Sequence, residues 1–474
     1  MKLRLAPAAA AAILVVGTVT GGVVTASTAS ADSAADARLA RIVDTYSSSL
    51  GLHQRSYAAI SRAALPGDVV SALAGELEQL YRCDLITQAH LPAIQQIFRL
   101  GLSDDVDTAA FPGTQTAGET VLGIPVEDYP NPDLPEQFPF ENEVRACGEA
   151  TVAALAKVRA TLTGRTLPRS SSLDLWPVLR FAPGDVSDTY VHDYVLLVDT
   201  SGGNKVWNNA GGNAMDIWRG PAGSTAPIKA PARGCAAAID IVHERTCTFV
   251  SAAALVIGDD NEFGRFEAPD PYTDAHCTDD ALGRRIFTQG MGNGGVGVLI
   301  VAGSDNTFVG KVFTNGAGMI GGYGYQRTDG DRNHYTAIRS AYGAAIVGGI
   351  GTFIANGSDN TYETYLPGPK DPNAENGMPG SGGVASDLNN CDSGQAIILG
   401  AGSVGGVGHF TATGVGNTYV APIQSLGFGR LGGEGRFTQS GGGVDTYAGA
   451  GAANRGNNTV VGPTQNNNGR FEDR

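Results

Sequence analysis

Nine side chains have the types needed for chemistry: His276, Asp279, Asp280, Arg284, Lys311, Arg332, His334, Arg339 and Asp392. Imidazole beside mixed charge can run acid–base steps or grip a sugar. Their spacing along the chain is not that of a compact motif, so only the fold can bring them together. The seven histidines form no HExxH and no pair at metal-ligand spacing, so no metal set is assigned. Asp260, Asp305 and Asp359 recur before an Asn, and a ladder of carboxylates would suggest calcium. Arg332, Gly416 and Val444 interrupt that column, and Asp at a turn commonly bonds its own backbone. We therefore expect no cofactor, with an isolated calcium ion near Asp329, Asp331 and Asp359 as the alternative. Gly400 to Gly405 satisfies GxGxxG, but the motif recurs from Gly316 and Gly427 with no helix after it, so a dinucleotide fold does not fit. Fragments such as Asp392-Ser393-Gly394 lack the partners a serine nucleophile requires.

A repeat has to position these residues. Gly294-Gly295, Gly321-Gly322, Gly348-Gly349, Gly405-Gly406 and Gly432-Gly433 form one column. Asn261, Asn306, Asn333, Asn360, Asn417 and Asp445 form another, with Asn204 before them, and an aromatic follows two places later from Phe263 to Tyr447. Uninterrupted steps are 27 residues long, and extra residues enter near 215–247, 264–286 and 366–395. This predicts a three-sided coil of parallel strands of about seven rungs, with Asn and aromatic residues pointing inward. Leu299, Phe353, Phe410 and Phe437 give a second inward column, which Gln326 breaks without explanation. Their neighbours Val298, Tyr325, Thr352, His409 and Arg436 are expected to face solvent. All three insertions are expected on one edge, roofing a groove over the nine candidate residues.

Residues 32–165 have helical spacing: Leu39, Ile42, Val43, Tyr46 and Leu50, then Val69, Leu73, Leu77 and Leu80, then Val144 to Leu162. A helix ending at Cys83 is predicted to be clamped to Cys147 on the third stripe. Cys235–Cys247 and Cys277–Cys391 are the other expected disulfides, since an exported chain favours pairing. The fold class is thus α+β in two units, with a linker at 166–190, the coil at 191–460 and a polar tail at 461–474.

Lys2 and Arg4, an apolar run and Ala29-Ser30-Ala31 mark residues 1–31 as a secretion signal, so the protein is expected to be extracellular. Cleavage leaves 30 basic against 47 acidic residues, a net of −17. That charge argues against nucleic acid as a partner. No span long enough to cross a membrane follows the signal.

The run Gly316, Gly318, Gly321, Gly322, Gly324, followed by a strand, and then Ser304-Asp305-Asn306-Thr307-Phe308 type corners, resembles repeats of exported bacterial parallel β-helix proteins. The resemblance covers 191–474. It implies a right-handed β-solenoid and a diverse set of roles, from adhesins to polysaccharide lyases and hydrolases, and no lyase signature carries over. We expect a non-catalytic structural or binding module for polysaccharide or cell envelope. The alternative is a lyase or glycoside hydrolase acting on the inserted edge. Oligomeric state stays open.

Overall fold

In the computed structural model, the described residues are 33–50, 52, 55–101, 120–121, 124–125, 140–215, 248–264, 288–310, 313–337, 341–364, 399–403, 405–420, 425–430, 432–448, 459–462 and 469–474. For 91–101, 120–121, 124–125, 248–249, 364 and 430 the description is of the backbone. Helices come first: α1 (Ser33–Ser49), α2 (Tyr57–Ala63), α3 (Gly67–Gly101) and α4 (Glu141–Leu162). Each apolar stripe named above is buried. Cys83 does not end its helix. Residues 84–90 contain no Gly or Pro to stop it, and α3 runs on to Gly101. The Cys83–Cys147 disulfide joins α3 to α4.

The rest is mostly parallel sheet, of the kind a solenoid makes. Sheet I stacks strands Leu179–Ala182, Leu196–Asp199, Ala252–Ile257, Val296–Ala302, Tyr323–Asp329, Ile350–Asn356, Val407–Thr413, Glu434–Ser440 and Arg470–Asp473 side by side in parallel. Sheet II stacks Thr189–Tyr190 through Thr446–Ala448, and sheet III the short strands Gly292–Asn293 through Gly429–Arg430. Val296 pairs with Tyr323, Tyr323 with Ile350, and Val407 with Glu434, each a step of 27.

Asn side chains hold one corner. The backbone N–H of Asn306 donates to Oδ1 of Asn333 at 2.9 Å, and that of Asn333 to Oδ1 of Asn360 at 2.8 Å. Asn204, Asn261 and Asn360 donate in the same way to the next member, and Asn417 donates to the Asp445 carboxylate at 2.7 Å. Buried amides are costly unless paired, so this row specifies register. Inside, Phe308, Tyr335, Tyr362 and Tyr419 stack within 20° of parallel, with centroids 4.5–5.1 Å apart. The second column, Phe353, Phe410 and Phe437, meets them edge-on, as ring quadrupoles prefer.

Gln326 has an explanation at the next corner. Its Oε1 accepts from Asn315 Nδ2 at 3.3 Å, and Asn315 also donates to Gln289 Oε1 at 2.6 Å. Where Leu or Tyr stands at that corner in other turns, this one carries polar residues, and Gln326 satisfies them. The column read as carboxylates is a left-handed turn position. Asp260, Asp305, Arg332 and Asp359 have φ of 60°, 59°, 55° and 57°, and Gly416 has 73°. Asp and Gly tolerate that backbone best, and Arg332 adopts it as well, so the column follows the turn.

Two expectations about the ends change. The stretch read as a linker carries Leu173–Leu175, Leu179–Ala182 and Thr189–Tyr190, all hydrogen-bonded into the coil. Leu179 pairs with Leu196, a step of 17, too short for the repeat to reveal. The tail adds Arg470–Asp473 beside sheet I, at a step of 34 from Arg436, and places Phe471 on Phe437 at 5.0 Å. Among the described residues no helix is long and apolar enough to cross a membrane.

Candidate functional site

Arg332 and His334 are described; His276, Asp279, Asp280, Arg284, Lys311, Arg339 and Asp392 lie outside the described residues, as do Cys235, Cys247, Cys277 and Cys391. Arg332 forks onto Asp305 one turn below, at 2.6 and 2.8 Å. His334 lies 3.5 Å from Glu363. Each is engaged by its own acid on an exposed surface, and such pairs contribute little. The second and third insertions leave sheet II after Gly264 and Thr364. The first leaves after Met215, whose strand pairs antiparallel with Thr248–Phe249 just before a sheet I strand. It therefore departs from a different corner, because the extra residues come after the Asn208–Asn213 turn rather than before it. The three exits therefore do not share one corner.

A different surface emerges on the outside of sheet I. Successive strands share one register but change outward chemistry. Val296, Val298 and Ile300 are buried; Tyr323 and Tyr325 are buried but Arg327 is not; Thr352 and Ile354 are half-buried; His409 and Thr411 are half-buried; Glu434 and Arg436 are exposed. The helices cause the gradient. α4 lies over the strands from Ala252 to Asp329, so Leu155 and Val158 share one core with Val298, Ile300 and Tyr325. Val298 and Tyr325 are thus not solvent-facing, because an apolar outer face needs a partner layer. Gly148 of α4 meets the Tyr323 ring, where an added Cβ would come within 2.2 Å. Arg159 of α4 bonds Asp329, which also takes Arg327 at 2.9 Å and Asn356 at 2.6 Å. Burial pushes the Asp329 carboxyl up, but Asn356, Arg159 and Arg327 outweigh it and hold it below the usual range. With both guanidiniums on it, this acid is already neutralised, a poor start for a calcium ligand.

Past the edge of the helical layer, sheet I is a polar strip. His409, Arg436 and Arg470 stand in one column, Thr411 and Thr438 in the next, and Val407 and Glu434 on the other side. Strands in a sheet repeat every ~4.8 Å, so these groups form a regular array. His409, Thr411, Glu434, Arg436 and Thr438 have no side-chain hydrogen-bond partner among the described residues. Burial lowers the His409 imidazole, and Arg436 and Arg145 act the same way against Glu434. A neutral imidazole can both donate and accept. α4 supplies the wall through Arg145, itself paired with Glu141 at 2.7 Å. The strip offers unspent donors and acceptors on a rigid floor, suited to a hydroxyl-rich ligand more than to bond-making chemistry. The signal was present in the sequence. Outward residues change along three adjacent columns, from Val296 to Glu434, from Val298 to Arg436 and from Ile300 to Thr438.

Comparison with protein-family models, with curated proteins and with solved structures finds no match to this chain.

Proposed function

We propose that this protein is an exported, non-catalytic binding module, secreted after removal of residues 1–31. Its rigid β-solenoid, with rungs anchored at 204, 261, 306, 333, 360, 417 and 445, presents the His409–Arg436 strip to a hydroxyl-rich polymer such as a cell-envelope polysaccharide. The observation that carries the reading is the strip itself: polar side chains in register, without a side-chain hydrogen-bond partner among the described residues, on the half-buried to exposed part of sheet I. Direct hydrogen bonds to sugar hydroxyls from preordered side chains lose little entropy on binding. No divalent ion is required in this account.

The test is a glycan array probed with the secreted protein and with Arg436→Ala and His409→Ala. A retained glycan whose signal falls about tenfold or more in both variants supports the strip. Binding that survives both substitutions, or no glycan retained by the parent protein, removes it.

A further inference from the structure

The helical unit buries two acids that the binding strip does not use, Asp84 at the seam with the coil and Glu76 near Tyr46 of α1. Asp84 of α3 is buried, and its Oδ1 accepts the Ser251 backbone N–H of the coil at 2.5 Å. Its Oδ2 accepts the Tyr46 hydroxyl of α1 at 2.8 Å. One carboxyl therefore ties α1, α3 and the coil together. Glu76, two turns earlier, is 0% exposed, and neither of its oxygens has a partner among the described residues. The groups near them are Tyr46 from α1 and Tyr81 from α3, while the coil offers the Ser251 N–H and uncharged Ser251, Asn213 and Asn293. No described Lys or Arg side chain is hydrogen-bonded or ion-paired to Asp84 or Glu76. Ionising either acid thus places charge in a buried site with no cation paired to it, offset at Asp84 only by the Ser251 and Tyr46 hydrogen bonds.

We propose that the helical unit is a pH-governed cover over sheet I, gripping most firmly while the buried Asp84 and Glu76 are protonated and loosening as they ionise. The geometry is that of a layer whose central contacts favour protonated acids. Its remote contact, Arg159 with Asp329, favours an ionised one. Lifting the cover bares Tyr323 and Tyr325, whose rings lie parallel with centroids 6.4 Å apart. Tyr325 stands in the same outward column as Thr352, His409 and Arg436, so an open cover extends the strip with aromatic planes. The cover itself does not depend on what the strip binds.

The sign follows from linkage. Burial lifts Asp84 from 3.8 to about 7, offset in part by Ser251 and Tyr46, and lifts Glu76 well above its ordinary range. An acid raised by docking contributes fully below the ordinary carboxylate value. Its contribution drains as pH climbs to the raised value and is flat beyond it. For Asp84 the window is 3.8 to about 7. Asp329 acts oppositely, weakening the seam only as pH falls through the carboxylate range.

Hydrogen exchange of the full chain, corrected for the intrinsic rate, reads the cover at strands Val296–Ala302 and Tyr323–Asp329. Protection there should fall about tenfold or more between pH 5 and pH 8, while strand Glu434–Ser440 stays unchanged. Asp84→Asn keeps an acceptor for Ser251, and with Glu76→Gln it should hold protection at its acidic level at both values. A Gly148→Leu wedge against Tyr323 should strip protection at both. Protection that ignores pH in the parent chain, or that falls equally in the Asp84→Asn/Glu76→Gln protein, overturns the proposal.

Discussion

The two halves of sheet I's outer face share a backbone and a register and differ only in what they present. Towards the N-terminal end, Val296, Val298, Ile300, Tyr323 and Tyr325 lie under helices. Towards the other end, His409, Thr411 and Thr438 are half-buried and Glu434 and Arg436 are exposed. The inner face does not change in step, since Leu299, Phe353, Phe410 and Phe437 are equally buried along its length. Inward positions answer to the coil and outward ones to whatever covers them. Two functions can therefore be written on one repeat without disturbing it.

The sharpest way to break this comparison is a matched pair. Val298→Asp buries an unpaired charge beneath α4 and should cost roughly 4 kcal/mol or more, while Thr411→Asp on the bare half should stay within about 0.5 kcal/mol. Urea titrations of the two proteins check it, and equal midpoints would mean the halves are not distinct environments. Asn333→Ala comes next. It leaves the Asn306 N–H and its own turn carbonyl unpaired, at a cost of roughly 2–3 kcal/mol by the same titration. Its effect belongs to the inner row, so it should be the same whether or not the helices are docked. Arg159→Ala should cost about 1 kcal/mol at pH 7 and less in strong acid, once pH has fallen below the lowered Asp329 titration and its charge is lost. Thermal melts at the two pH values read the difference, and an equal cost at both would assign the loss to packing instead. Smallest in stability is Arg436→Ala, expected within about 0.5 kcal/mol by thermal melt, though its effect on glycan binding should be large.

Much of the coil was legible because identical letters every 27 residues recur at contacts every ~4.8 Å. The helical stripes were legible for the same kind of reason. The caps were not: steps of 17 at Leu179 and 34 at Arg470 leave no periodic trace. Nor was the end of α3, since no breaker near Cys83 marks where a helix should stop or continue. Of the nine candidate groove residues, only Arg332 and His334 are among the described residues. The strip is hard to see in the sequence because mixed composition alone does not show which outward residues are covered. The change along the column, apolar to charged, is what records the layer above it.

The Asn row has a consequence for how such a chain can change length. Consecutive members are separated by 27, 45 or 57 residues, yet the link from N–H to Oδ1 stays between 2.8 and 3.0 Å from Asn204 through Asn417. The coil is thus blind to how much chain loops out between turns. Segments can be lengthened, trimmed or exchanged at those exits while the spine keeps its pitch, which makes the protein a chassis whose outfitting can vary faster than its frame.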